Sequence, residues 1–222
     1  MSIAKQVLVF IEIDRGALHP LAAEVLEAGK QVADALQGEL AAVIMGHGIA
    51  DLAGEARHYG VARVYCVEDP LLDAYHGEYF CLALAELCRT VQPAAILMLN
   101  TLVGVDLSPR LAWHLEAGLV TDCVDITGTG AELAFTKPVF SGNVMAVYAP
   151  AAEPCLVTVR PRAFTPQPCD ASLSGEIIPV ALALDLAQIK TTVVERIEEP
   201  GEEVRLETAE RIVAGGRGIG RA

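Results

Sequence analysis

Two hydrophobic rhythms share this chain. Short apolar runs of five to eight residues alternate with longer segments whose apolar residues recur every three or four positions. The first run, "QVLVFIEI" (residues 6–13), reads as a buried strand ending at "DRG". "HPLAAEVLEAGKQVADAL" (19–36) follows with Leu21, Val25, Val32 and Leu36 at helical spacing, Pro20 suiting a first turn and Gly38 a stop. The alternation continues through the strand "ELAAVIMG" (39–46), a short helix (49–60), the strand "VARVYCV" (61–67), a helix (77–91) and the strand "AAILML" (94–99). A loop (100–108), a helix opening at Pro109 (109–118) and the strand "LVTDCVDI" (119–126) complete it. Repeated strand–helix units predict an α/β fold, a three-layer, mostly parallel doubly wound sheet with right-handed crossovers.

After Ile126 the helical period stops. Strand-like "AELAFTKPVF" (131–140), "GNVMAVYA" (142–149) and "PCLVTVRP" (154–161) are separated by turn residues. With no helix between them, they are expected to pair antiparallel, as an added β segment that extends the sheet or covers an edge. Residues 191–197 read as one more strand. The charged, turn-prone stretch 198–211 has the composition of a linker. The expected organisation is an α/β domain over 1–197, a linker over 198–211, and the opening of a second domain over 212–222.

Composition narrows the class. Hydrophobic residues make up 53% of the 222 and aromatics only 5%, so the apolar mass is small and aliphatic, suited to helices on a buried parallel sheet. No apolar run approaches the ~20 residues of a membrane span. The beginning of the chain reads as a strand rather than a leader. A net charge of −13 argues against nucleic acid as a partner. The six cysteines form no C-x-x-C pair and mostly lie in apolar runs, which points to buried free thiols in a reducing cytoplasm.

Candidate chemistry is sparse. "GGRGIG" (215–220) follows an apolar run as a strand precedes an anion-binding turn. It is neither G-x-G-x-x-G, its third glycine falling one residue early, nor a P-loop. Gly215, Gly216 and Gly218 allow close backbone approach and Arg217 can pair with a phosphate; a plain tail is the competing reading. The five histidines lack metal-type pairing and read as surface or capping residues. "GHG" (46–48) follows a strand where doubly wound sheets take ligands. Asp69 and Asp73 are a conceivable carboxylate pair or simply solvated loop acids. Arg110, in the first turn of a helix beginning at Pro109, would oppose the macrodipole and so call for a carboxylate from elsewhere, or be solvated. No nucleophile sits beside a patterned base, and no catalytic residue is assigned.

"VGVDLSPRLAWHLEAGLVTDCVDI", "FTKPVFSGNVMAVY", "CLVTVRPRAF" and "AERIVAGGRGIG" stand in the order and spacing of the electron-transfer flavoprotein alpha subunit, which the chain resembles over nearly its whole length. The resemblance implies an N-terminal α/β domain of the adenine nucleotide alpha hydrolase-like type, followed by a domain that binds FAD. It implies a heterodimer with a beta subunit carrying AMP or a second FAD, shuttling electrons from dehydrogenases to a quinone reductase or another acceptor. It places Arg217 against the flavin, with Gly215, Gly216 and Gly218 as the surrounding turn. The family's later flavin-contacting motifs are not among these residues, and a flavin domain needs on the order of 100 residues. The 222 residues are therefore expected to act as a scaffold that docks the beta subunit and not to hold FAD alone. A free-standing nucleotide-binding module of universal-stress type is the alternative. The early β-α-β rhythm and "MGHG" fit it, but "ITGTGAE" (126–132) is a poor phosphate loop.

Overall fold

The structure, a computed structural model, describes residues 5–182, 186–195, 211–216, 218 and 220. The chain divides into a unit over Met1–Thr191 and a second over Thr192–Ala222. In chain order the first unit contains β1 (Gln6–Ile11), the two-residue strands β2 (Ile13–Asp14) and β3 (Ala17–Leu18), α1 (Ala22–Leu36), β4 (Glu39–Gly46), α2 (Ala50–Ala56), β5 (Arg63–Glu68), α3 (Gly77–Val91) and β6 (Ala95–Leu99). Then come α4 (Leu102–Leu115), β7 (Gly118–Cys123), β8 (Asp125–Thr127), β9 (Ala134–Val139), β10 (Val144–Tyr148), β11 (Cys155–Val159) and β12 (Glu176–Val180).

Seven strands form one sheet in the order β12-β5-β4-β1-β6-β11-β7, and every neighbouring pair is parallel. Alternation along β1 sorts the core into two layers. Val7, Val9 and Ile11 face α1 and α2, packing with Val25, Val32 and Ala53. Leu8 and Phe10 face α3 and α4, packing with Leu84, Leu107 and Leu111. A sheet buried on both faces explains the unbroken apolar runs, β6 being buried at all five positions. Gly29 lets α1 sit close on β1, since a Cβ there would fall 2.4 Å from Val9 Cγ2.

The predicted architecture holds, with three local corrections. The helix expected from Pro109 begins seven residues earlier, at Leu102, and carries Pro109 in its interior. Proline removes a bond to the carbonyl four residues back. That carbonyl belongs to Val105, itself half exposed, so water can take the place of the lost donor. β11 was expected to pair antiparallel, yet it enters the central sheet parallel, between β6 and β7. The connection from β7 to β11 is a small antiparallel sheet, β10-β9-β8, instead of a helix. Lastly, residues 191–195 form no strand, and the remainder of that expected strand lies outside the described residues.

Candidate functional site

Strand order reverses between β1 and β6, which makes their carboxyl ends the topological switch point where doubly wound sheets form a crevice. Each strand end there carries a polar residue. Glu12 follows β1, Asn100 and Thr101 follow β6, Asp122 lies near the end of β7, and Thr158 and Arg160 close β11.

Thr101 is the N-cap of α4. Its hydroxyl accepts from the Gly104 N–H at 3.1 Å and donates to Glu12 Oε1 at 2.5 Å. Gly104 is required here because a Cβ would lie 1.8 Å from the Leu99 carbonyl oxygen, so only glycine lets α4 start this close to β6. Glu12 is buried, and loss of solvation lifts its carboxyl to about 7, with Asp14 adding to the rise and the Thr101 bond opposing it. The positive end of α4 thus already faces a carboxyl group of the chain itself, through a hydroxyl relay.

Beside it, β7 carries a bulge. Val120 pairs with Val157 and Cys123 with Val159, leaving Thr121 and Asp122 opposite Thr158 alone. Asp122 adopts φ +63°, a left-handed conformation that aspartate tolerates better than most residues. There its N–H donates to Thr158 Oγ1 at 2.8 Å, and Thr158 Oγ1 donates to Asn100 Oδ1 at 2.7 Å. Asn100 Nδ2 reaches Asp122 Oδ1 at 3.3 Å, and Arg160 grips both Asp122 oxygens, through Nε at 2.9 Å and Nη2 at 2.5 Å. These groups satisfy one another, which locks three strand ends together but leaves no nucleophile poised beside a base.

The residues singled out from sequence take other places. Gly215, Gly216 and Gly218 are exposed, and a Cβ on Gly216 or Gly218 would meet nothing within 4 Å. Arg217 lies outside the described residues. His47 is exposed, and its loop is held by the Gly48 N–H donating to Glu68 at 2.9 Å. Asp69 caps a short 3-10 turn by accepting from the Leu71 N–H at 2.8 Å, and so serves the fold rather than a carboxylate pair with Asp73. Arg110 falls in the interior of α4 instead of its first turn. Its partner is Asp106, one turn back on the same helix at 3.0 Å, not a carboxylate from elsewhere. Tyr75 donates to the other oxygen of Asp106 at 2.7 Å. All six cysteines are free, and five are buried. Among the described residues no cluster of three metal-type ligands occurs, and no helix is long and apolar enough to cross a membrane.

Among the described residues of the first unit, α4 and β10 both carry exposed apolar surface. On α4, Leu102, Val105, Pro109 and Trp113 line one exposed face at helical spacing. In the small sheet, β9 anchors itself through fully buried Phe135, whereas β10 stands clear of the core. Val144, Met145, Val147 and Tyr148 are 48%, 52%, 65% and 44% exposed. Since successive residues point to opposite sides, β10 is bare on both faces, and it is also an edge strand.

Sequence comparison places this architecture. The model of the electron transfer flavoprotein domain matches residues 7–185, from the second residue of β1 past β12. The chain belongs to the electron transfer flavoprotein family. Electron transfer flavoprotein subunit alpha of Thermoanaerobacterium thermosaccharolyticum is 35% identical over 219 residues, covering 97% of this chain and 66% of that protein. The subunit alpha of Bacillus subtilis is 31% identical over 97% of this chain and 65% of its own length. Protein FixB of Azotobacter vinelandii is 36% identical over 97% of this chain and 62% of its own length. The chain therefore spans a little under two thirds of these electron transfer flavoprotein relatives.

Proposed function

We propose that this chain is the α/β domain of an electron-transfer flavoprotein alpha subunit, acting as the scaffold that docks a beta subunit. The heterodimer would carry electrons from dehydrogenases to a quinone reductase or another acceptor. FAD supplies the redox chemistry when bound, and AMP or a second FAD would sit on the partner. The observation that carries this reading is the family match across almost the whole α/β unit, joined to alpha-subunit relatives that align over 97% of the chain.

The geometry supports a scaffold role. The switch-point crevice, where a nucleotide-binding module would take its phosphate, is occupied instead by the buried Glu12 carboxyl bonded to Thr101. The bare strand β10 offers unpaired backbone groups and apolar side chains together, the combination by which one chain adds a strand to another. We assign the beta-docking surface to it. Arg217, with Gly215, Gly216 and Gly218 around it, would contribute to the flavin site alongside other parts of the intact subunit. We place the assembly in the cytoplasm, where five buried free thiols suit a reducing environment.

Co-expression of residues 1–222 with the beta subunit from the same organism tests the proposal. A complex that co-elutes in size-exclusion chromatography is expected, and residues 1–222 alone should purify colourless. Separate elution at micromolar concentration would overturn the docking role. Stoichiometric FAD on the isolated chain would overturn the scaffold reading, and tight ATP or AMP binding in calorimetry would favour the nucleotide module.

A further inference from the structure

The start of α3 grips a segment more than a hundred residues away in sequence. His76 caps the helix, its Nδ1 accepting from the Tyr79 N–H at 3.4 Å. Glu78, in the first turn, turns its carboxylate to the chain near residue 190. Its Oε2 accepts from the Lys190 N–H at 2.8 Å, the Thr191 N–H at 3.1 Å and the Thr191 hydroxyl at 3.0 Å. The same hydroxyl lies 3.2 Å from His76 Nε2. Because Nδ1 is occupied as an acceptor, the neutral ring carries its proton on Nε2, so His76 donates to Thr191, which donates to Glu78.

Two consecutive backbone N–H groups and a hydroxyl converging on one carboxylate oxygen are charge-assisted bonds, stronger than their neutral counterparts. The backbone bonds from Lys190 and Thr191 hold the Glu78 carboxyl below the usual range. A negative charge in the first turn of α3 is further favoured by the helix dipole. The clamp closes on a meaningful place: Thr191 is the last residue of the first unit. Upstream of it, Lys190 forms part of a groove of about 810 Å³ between α3 and α4, lined also by Cys81, Val105, Arg110 and Trp113.

We infer that Glu78 is a positioning residue that pins Lys190 and Thr191 to the start of α3, fixing the point from which the polypeptide departs the α/β unit. Without the clamp, the nearest sheet tie upstream is β12, which ends at Val180. The inference concerns bonds within residues 76–191 and stands apart from the electron-transfer reading.

Hydrogen exchange on the full 222-residue chain tests it. In Glu78→Ala, the Lys190 and Thr191 amides should exchange about tenfold faster, while β12 and the second half of α3 keep their protection. Glu78→Gln, which retains an acceptor oxygen without the charge, should fall between. Thr191→Val removes only the hydroxyl, serves if Glu78→Ala fails to fold, and should accelerate the Thr191 amide less than Glu78→Gln does. Unchanged exchange at both amides in a folded Glu78→Ala chain overturns the inference. So does acceleration spread evenly over the whole unit, which would mean general destabilisation.

Discussion

Thr101 joins Glu12 to the N-terminus of α4, its single hydroxyl accepting from the Gly104 N–H and donating to the buried carboxyl group. The contact fills the switch-point crevice with the chain's own polar groups. Burial of that carboxyl, against the opposing pull of the Thr101 bond, makes stability depend on pH in an unusual direction. An acid whose folded-state value is raised binds more protons when folded than when unfolded between the two values. Stability contributed by Glu12 is therefore greatest below its ordinary value of 4.5 and falls as pH rises toward about 7. Glu12→Gln should flatten that decline and stabilise the protein at about pH 8, by up to roughly 3 kcal/mol. Urea denaturation midpoints measured across this range check it, and an unaltered slope would count against the assignment.

Gly104 tolerates no side chain. With the Leu99 carbonyl oxygen 1.8 Å from an added Cβ, Gly104→Ala must push α4 away from β6. The expected loss is about 1–3 kcal/mol, as for other overpacked sites. Gly54, in α2 with nothing within 4 Å of its added Cβ, provides the control: Gly54→Ala should be neutral or slightly stabilising by thermal denaturation.

The bulge at Asp122 predicts a graded series. Asp122→Ala loses both bonds to Arg160 and the one from Asn100, and puts alanine where φ is +63°. A destabilisation of about 2 kcal/mol is expected. Asp122→Asn keeps the tolerance for that conformation and should lose less. Equal losses in denaturant titrations would assign the whole effect to the ion pair.

Docking through β10 has a direct test. Val147 is 65% exposed, so Val147→Asp should leave the isolated chain's stability within about 0.5 kcal/mol. The same change should weaken beta-subunit binding by tenfold or more, if this strand lies at the centre of the interface. Trp113→Ala on α4 is the comparison. Should it weaken binding while Val147→Asp does not, the docking surface belongs on α4.

Much of this architecture was readable because a sheet buried on both faces writes itself as continuous apolar runs. β4 and α3 match their predicted limits residue for residue. Reading failed where tertiary context overrode a local signal. Pro109 imitates a helix start, but the true cap, Thr101, lies eight residues earlier, and its hydroxyl also donates to Glu12, nearly ninety residues away in sequence. β11 has the same short, turn-bounded look as β9 and β10, and nothing in its composition tells that it slots between β6 and β7. The polar cluster at the strand ends left a faint trace. Runs such as "VFIE", "LMLN" and "VTVR" each end on one polar residue where the strand leaves the core. Which of those residues meet is decided by strand order, and order is not written locally.

The interleaving of β11 also constrains how the molecule is made. β7 touches the sheet only through β11, so in nascent chains its backbone waits until the ribosome has delivered Cys155–Val159, a lag of a few seconds at ordinary elongation rates. The hairpin emerges during that interval, and closing the sheet edge cinches both of its ends side by side. Synthesis of β11 thus closes the β7 edge of the central sheet and fixes the pedestal beneath β10 in one event, while β12 has still to pair with β5 on the opposite edge.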